Sequence, residues 1–406
     1  MTAERADVLV IGLGPAGAAT AIRLARRGVR VVAVDRAVFP REKPCSEYLS
    51  PEGARQLSEI GVLDQVEARG GVRIRGTTVV APEGSRLTGL FARASHPPFR
   101  ATGLAVAREI LDAELVSAAR AAGAVVLEAT SAVALLRRPG GACGAILRDG
   151  QGRTRELEAR LTVGADGLRS RVARELGPPR REPLRRWAFV AHVEGVQGMT
   201  ETAELHVRRD GYVGLNPVGG GVTNVALVVP AREARAARGA AERYFFDALE
   251  RFPTVRGRIP RAGLRRRLLV TGPFAWRASR VVSDGAMLAG DAAEFFDPFT
   301  GEGICSALRG AEMIERVAAP LLERKSSGPL SARALAPYRG LRRRAFLGRW
   351  MVERLIGYGM LAPALFDRAV ERLERRGLSH TMIGVTGDFV PARAVLNPGF
   401  LARMVL

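Results

Sequence analysis

Lysine is almost missing from this chain. Lys43 and Lys325 are the two lysines in 406 residues, so the 62 basic side chains are nearly all arginine, set against 41 acidic ones for a formal net charge of +21. So uniform a skew reads as codon usage more than as a binding adaptation. Nucleic-acid readers concentrate positive charge on one helix or face and interleave stacking aromatics. Here aromatics are 6% of the chain, and the arginines are dispersed, with short clusters at 185–186, 265–267 and 342–344. No nucleic-acid partner is expected. Attraction to an anionic membrane surface stays open as a use for the charge.

Cysteine is scarce as well. Cys45, Cys143 and Cys305 are odd in number and far apart, which argues against a disulfide framework and against a redox-active pair. Four scattered histidines show no metal-ligand spacing, so no metal is expected. No uninterrupted apolar run reaches the roughly 20 residues that a membrane span needs. Charged residues at 4–7 lead straight into an apolar strand, which is no signal-peptide pattern. A cytoplasmic enzyme, with peripheral membrane contact as an alternative, is the expectation. The length suggests two or three structural units at roughly 100–200 residues each. A chain 47% hydrophobic and 25% charged is ordinary for a globular protein with room for a cofactor cavity.

What is present is α/β patterning. Residues 7–11 read as a short buried strand, 18–27 as a helix ended by Gly28, and 29–34 as a β-branched strand closing on Asp35. This is one βαβ unit of the size a parallel crossover needs. A helix at 111–122 and strands at 124–127 and 161–164 continue the layer. The stretch 183–272 alternates, with strands at 187–193 and 222–229 and a glycine turn at 219–221, as an inserted antiparallel sheet would. The α/β character returns near 286–290, and the chain reads as mostly helical from 331.

Three motifs carry chemistry. In Gly12-Leu-Gly-Pro-Ala-Gly17, Gly12 lets the strand turn tightly, and Gly14 lets backbone approach a pyrophosphate beside Pro15 and Ala16. Gly17 lets the helix pack on the sheet, with the helix amino end facing the phosphates. Asp35, beside Arg36, can bond adenosine ribose hydroxyls. Gly164-Ala-Asp166-Gly167 follows a strand. Gly290-Asp291 can place a carboxylate on a ribityl chain. The turn Pro298-Phe-Thr-Gly301-Glu-Gly303-Ile304 would aim a positive helix end at a ring edge that carries negative charge when reduced.

These three signatures resemble those of the FAD-dependent hydroxylases related to p-hydroxybenzoate hydroxylase. The run Phe39-Pro-Arg-Glu-Lys-Pro-Cys45, then Leu49-Ser-Pro51, and the 298–304 turn bring the chain closer to the geranylgeranyl reductase family, which is near the flavin-dependent halogenases. The likeness covers roughly 5–325. It implies a Rossmann-type FAD-binding domain with an inserted antiparallel β-sheet substrate domain and a helical C-terminal region. The boundaries expected are 1–75, 100–182 and 273–330 for FAD, 76–99 and 183–272 for substrate, and 331–406 for the helices. It further implies that Arg108 contacts the FAD, that Ala132 lies beside the adenosine, and that Cys45 and Ser46 lie near the flavin ring. The chain departs from the family's reductases at Ser46, where they carry glycine, and at 211–217, where they carry an aromatic-rich motif. The halogenases' Trp-x-Trp-x-Ile-Pro motif is absent. No second glycine fingerprint exists for a nicotinamide domain, so NAD(P)H docking transiently, or a separate reductase, must supply electrons.

The expected reaction is hydroxylation of an apolar aromatic or polyketide-like substrate through a flavin C4a-hydroperoxide. The alternatives are reduction of a double bond in an isoprenoid or quinone tail, and a non-catalytic flavin electron-transfer protein. No catalytic residue is assigned. Cys45, Glu47, Tyr48, Tyr212 and Asn216 could line the pocket; His192 and His206 read as structural. Phe346, Leu347, Trp350, Met351 and Leu355 are spaced for one helix face, either core-packing, a lid over an apolar substrate, or a membrane-touching surface.

Overall fold

In a computed structural model the described residues are 4–209, 211–324 and 328–405, so Lys325 lies outside them. Five parallel strands form the first layer, in the spatial order Ala286–Leu288, Thr154–Gly164, Glu4–Ile11, Val31–Val34, Val125–Leu127. Their central residues are apolar at consecutive positions because both faces are covered, one by helices and the other by the strand pair Ser131–Arg138 and Gly141–Arg148 with helix Arg171–Leu176. The helix Pro15–Ala25 starts three residues earlier than its periodicity suggests, since Pro15 takes the first helical position after Gly14. Helices Pro15–Ala25, Arg108–Ala121 and Gly303–Leu322 bury Ile22, Leu24, Leu111, Leu115 and Ile314 against one face. Each such side chain contributes roughly 1.5–3 kcal/mol.

A seven-stranded sheet forms the second layer. Its order is Leu269–Thr271, Arg186–Glu194, Val222–Pro230, Gly211–Gly219, Thr202–Arg208, Gly76–Val80, Arg86–Leu90. All neighbours are antiparallel except Thr202–Arg208 on Gly76–Val80. The 76–90 hairpin therefore joins strands more than a hundred residues further on. Helix Ala241–Leu249 covers the outer face through Phe245, Phe246 and Leu249. The carboxyl-terminal part is helical, with Pro337–Gly359, Pro363–Arg375, Ser379–Thr386 and Pro398–Val405. Among the described residues no helix is long and apolar enough to cross a membrane.

Candidate flavin and substrate cleft

A cleft of about 1970 Å³, counting its open mouth, runs between the two layers. At one end stand Gly14, Pro15 and Ala16. Gly12 (φ +97°) has no space for a side chain, since a Cβ would lie 2.5 Å from Ala165 O; at Gly17 it would lie 1.8 Å from Gly12 O. The turn is thus glycine by necessity. Gly14 differs: its backbone is extended, and a Cβ would meet nothing nearer than Arg41 and Arg108 nitrogens at 3.6 and 3.7 Å. No side chain caps the helix that follows, so its first N–H groups and positive end are free for an anion.

The middle of the cleft holds Lys43, Cys45, Ser46, Arg108, Gly290 and Asp291. Burial raises the Asp291 carboxyl above its ordinary value, while Lys43 and Arg108 pull it back down. Burial pushes the Lys43 ammonium down, and the Arg108 charge adds to that. Pro298, Gly301, Gly303 and Ile304 close the far side at the start of helix Gly303–Leu322.

Six expected contacts are not on the cleft wall, of which Gly12 and Gly17 shape the turn behind it. Asp35 turns its carboxylate onto Leu13 N (2.7 Å) and Ala37 N (2.9 Å), bracing the glycine turn. Arg36 is exposed beside it. Ala132 follows a loop whose Ala129 N and Thr130 N bond Ala37 O and Asp35 O, so Ala132 sits near that end without lining it. Asp166 is a correction. Its carboxylate accepts from Ser170 Oγ (2.5 Å), Arg171 N (2.6 Å) and Val172 N (3.4 Å) and so caps helix Arg171–Leu176; a helix start with open N–H groups takes the nearest carboxylate.

The loop at 45–47 is fastened to the second layer. Glu47 is fully buried with φ +57°, an uncommon conformation for a non-glycine. Its carboxylate accepts from Arg108 N (3.0 Å) and Asn224 Nδ2 (2.7 Å), meets His192 Nε2 at 2.6 Å, and has Arg266 at 3.8 Å. Asn216 Nδ2 donates to Glu47 O, and Asn224 Nδ2 to Cys45 O. Those bonds fix the amide orientations and leave both Oδ1 atoms buried, without partners among the described residues, in residues that line the cleft. His206 instead bonds Glu204 and Thr254. Asp297 accepts from Tyr212 Oη (2.7 Å), Arg186 (3.0 Å) and Phe299 N (3.1 Å), pinning the 298–304 turn to the sheet.

Glu302 lies in the motif, yet its sequence context assigns it no part. It lines the cleft and bonds Ser50 Oγ at 3.2 Å, with Oε1 buried and unpartnered among the described residues. Burial, reinforced by Asp388, lifts its carboxyl to about 8. The folded chain therefore keeps a proton that the unfolded chain has released above its ordinary 4.5. Stability falls as pH rises through that window, with the whole loss present above about pH 8. Melting midpoints from pH 5 to 9, at matched flavin content, should drop several degrees further for the parent than for Glu302→Gln; parallel curves would refute this.

The sheet supplies an apolar wall that includes Val190, Leu205, Leu215, Val228 and Phe274. Helix Pro337–Gly359 contributes Phe346, Trp350, the pair Arg349–Glu353 (3.1 Å) and Arg342, which pairs with Glu294 of the strand Glu294–Phe295 (2.7 Å). The expected single helix face is split. Phe346 and Trp350 face the cleft, while Leu347, Met351 and Leu355 are exposed. One residue turns the helix by about 100°, so 346 and 347 cannot share a narrow stripe.

FAD fits these residues: the open Gly14 cradle, the uncapped helix end and the carboxylate at Asp291 on one layer, and the orphaned acceptors at Asn216 and Asn224 on the other, all line one cleft. A family model described as an FAD binding domain matches residues 5–327. The menaquinone reductase of Mycobacterium tuberculosis is 31% identical, covering 99% of this chain and 97% of that one. The digeranylgeranylglycerophospholipid reductase 2 of Methanothermobacter thermautotrophicus is 31% identical over 91% of each. The myxobacterial chondrochloren halogenase superposes with a TM-score of 0.80 at 23% identity, covering 99% of this chain and 95% of that one, which is a likeness of fold alone. With the glycine turn, the Asp291 wall and the 298–304 turn gathered in one cleft, the chain belongs to the FAD-dependent oxidoreductases of the geranylgeranyl reductase family.

Proposed function

We propose that this protein reduces a carbon–carbon double bond in a polyprenyl chain carried by a quinone or a lipid. The observation that carries this reading is the pair of relatives at 31% identity over most of their length: the substrates in their names share a polyprenyl chain. Hydroxylation, the first expectation from the motifs, has no such support. FAD, held by the Gly14 turn, Asp291 and the 298–304 turn, would supply hydride once reduced by a nicotinamide nucleotide or a separate reductase; saturating the double bond would then need one added proton and no oxygen. The apolar wall binds the tail, at roughly 0.8 kcal/mol per buried CH₂. Arg342 and Arg349 are already paired with carboxylates, so they ask for no charged ligand. Asn216, Asn224 and Glu47 hold the 45–47 loop in place beside the reacting end. Glu302 keeps a proton on the cleft wall at neutral pH, the state a proton donor needs.

The test is anaerobic turnover of chemically reduced protein with a short-chain polyprenyl quinone. The expected product gains two hydrogens in its tail. Product that forms only with oxygen and carries one atom of it would overturn the reading in favour of hydroxylation.

A further inference from the structure

We propose that the protein docks on an anionic lipid bilayer through the outer face of helix Pro337–Gly359 and the turn that follows. Among the described residues ten large hydrophobic side chains are exposed, and six of them fall within 347–365: Leu347, Met351, Leu355, Tyr358, Leu361 and Leu365. At about 100° per residue the four on the helix form one stripe roughly 80° wide. Soluble proteins scatter such residues singly, and a contiguous patch marks a partner surface.

The charges around the stripe select the partner. Arg339, Arg343 and Arg344 are exposed before it and Arg368 after it. Arg339 also lines a shallow groove with Arg180, Arg277 and Arg280. Of the carboxylates nearby, Glu353 is half-buried against Arg349, Glu182 pairs with Arg354, and Asp367 is buried, accepting from Glu83 N and Ser85 N; Glu371 is exposed but paired with Arg375. An apolar stripe edged by arginine suits an anionic headgroup layer, with the helix lying in its plane.

The stripe is continuous with the cleft. The Tyr358 ring lies 6.2 Å from that of Phe296, which lines the cleft, and the Arg354 guanidinium sits 4.6 Å over the same ring. A lipid tail leaving the bilayer at Tyr358 would thus enter on an aromatic wall. That purpose rests on the polyprenyl reading above; the docking itself rests on the surface.

The experiment is co-sedimentation of flavin-loaded protein with phosphatidylcholine vesicles, with and without phosphatidylglycerol. The parent should pellet with the anionic vesicles. Met351→Asp/Leu355→Asp should lower the bound-to-free ratio by about tenfold or more, with flavin content and melting midpoint unchanged. Arg343→Glu/Arg344→Glu should abolish the preference for anionic over neutral vesicles. A parent that stays in the supernatant overturns the proposal, as does an apolar double variant that pellets as well as the parent. So does a parent dimer that the double variant dissociates while vesicles recruit neither. Docking without reduction of any polyprenyl tail would defeat the function reading and leave the docking surface standing.

Discussion

Gly14→Val protein should purify colourless, yet melt within about 4 °C of the flavin-free parent, because trading glycine for a β-branched residue at a helix cap costs about 1 kcal/mol. The extended backbone at Gly14 accepts any residue, and a β-carbon there would meet nothing nearer than the Arg41 and Arg108 side-chain ends at 3.6 and 3.7 Å. That space is where backbone and pyrophosphate would meet, so a valine there excludes the ligand while leaving the fold alone. Affinity for FAD should fall by at least about a hundredfold, or about 2.8 kcal/mol at 1.4 kcal/mol per decade. Gly17→Val is the contrast. Its β-carbon would overlap Gly12 O at 1.8 Å, so it should lose both flavin and the cooperative melt. Fluorescence titration with FAD and a melting curve separate the two, and a yellow Gly14→Val protein would contradict the assignment of this turn.

Glu47→Ala should cost about 3–5 kcal/mol, the range found when one member of a buried ion pair is removed, because it strands the buried Arg266 guanidinium 3.8 Å away. The substitution leaves His192, Asn224 and Arg108 N facing an empty pocket in the layer junction. It also keeps the left-handed backbone at 47 while removing the side-chain bonds that help to hold it there, and such strain persists where the surroundings over-determine it. Urea unfolding measures the loss. Glu47→Gln, which keeps the shape and one acceptor, should fall between parent and alanine. An alanine variant as stable as the parent would show that the junction is held elsewhere.

The parts of the site that the sequence makes legible are those formed by neighbours along the chain. Gly12, Gly14 and Gly17 lie within one turn, and Gly290, Asp291 and 298–304 follow one another, so backbone rules and the resemblance sufficed to bring them together. The antiparallel character of 183–272 was legible for the same reason, through alternation and the glycine turn at 219–221. Glu47 with His192 was not, because the partners are 145 residues apart and meet only once both layers exist. Asp166 misled in the opposite way: a motif aspartate was claimed by its own downstream helix. The split of 346–355 escaped because a stripe at helical spacing does not say which of two apolar surroundings each edge will meet.

The fastening of the 45–47 loop bears on motion. Glu47 ties the loop to the amino end of helix Arg108–Ala121 and, through His192 and Asn224, to the second sheet. Asn216 and Asn224 tie the loop backbone to that same sheet. A junction crossed by so many short buried bonds opens only by breaking them together, so on the timescale of turnover the two layers there move as one body. On the polyprenyl reading proposed above, the tail would enter along the cleft's other flank, which helix Pro337–Gly359 lines. The chemistry would keep a fixed frame, while slow steps such as tail entry and product escape would be set by how readily that single helix gives way.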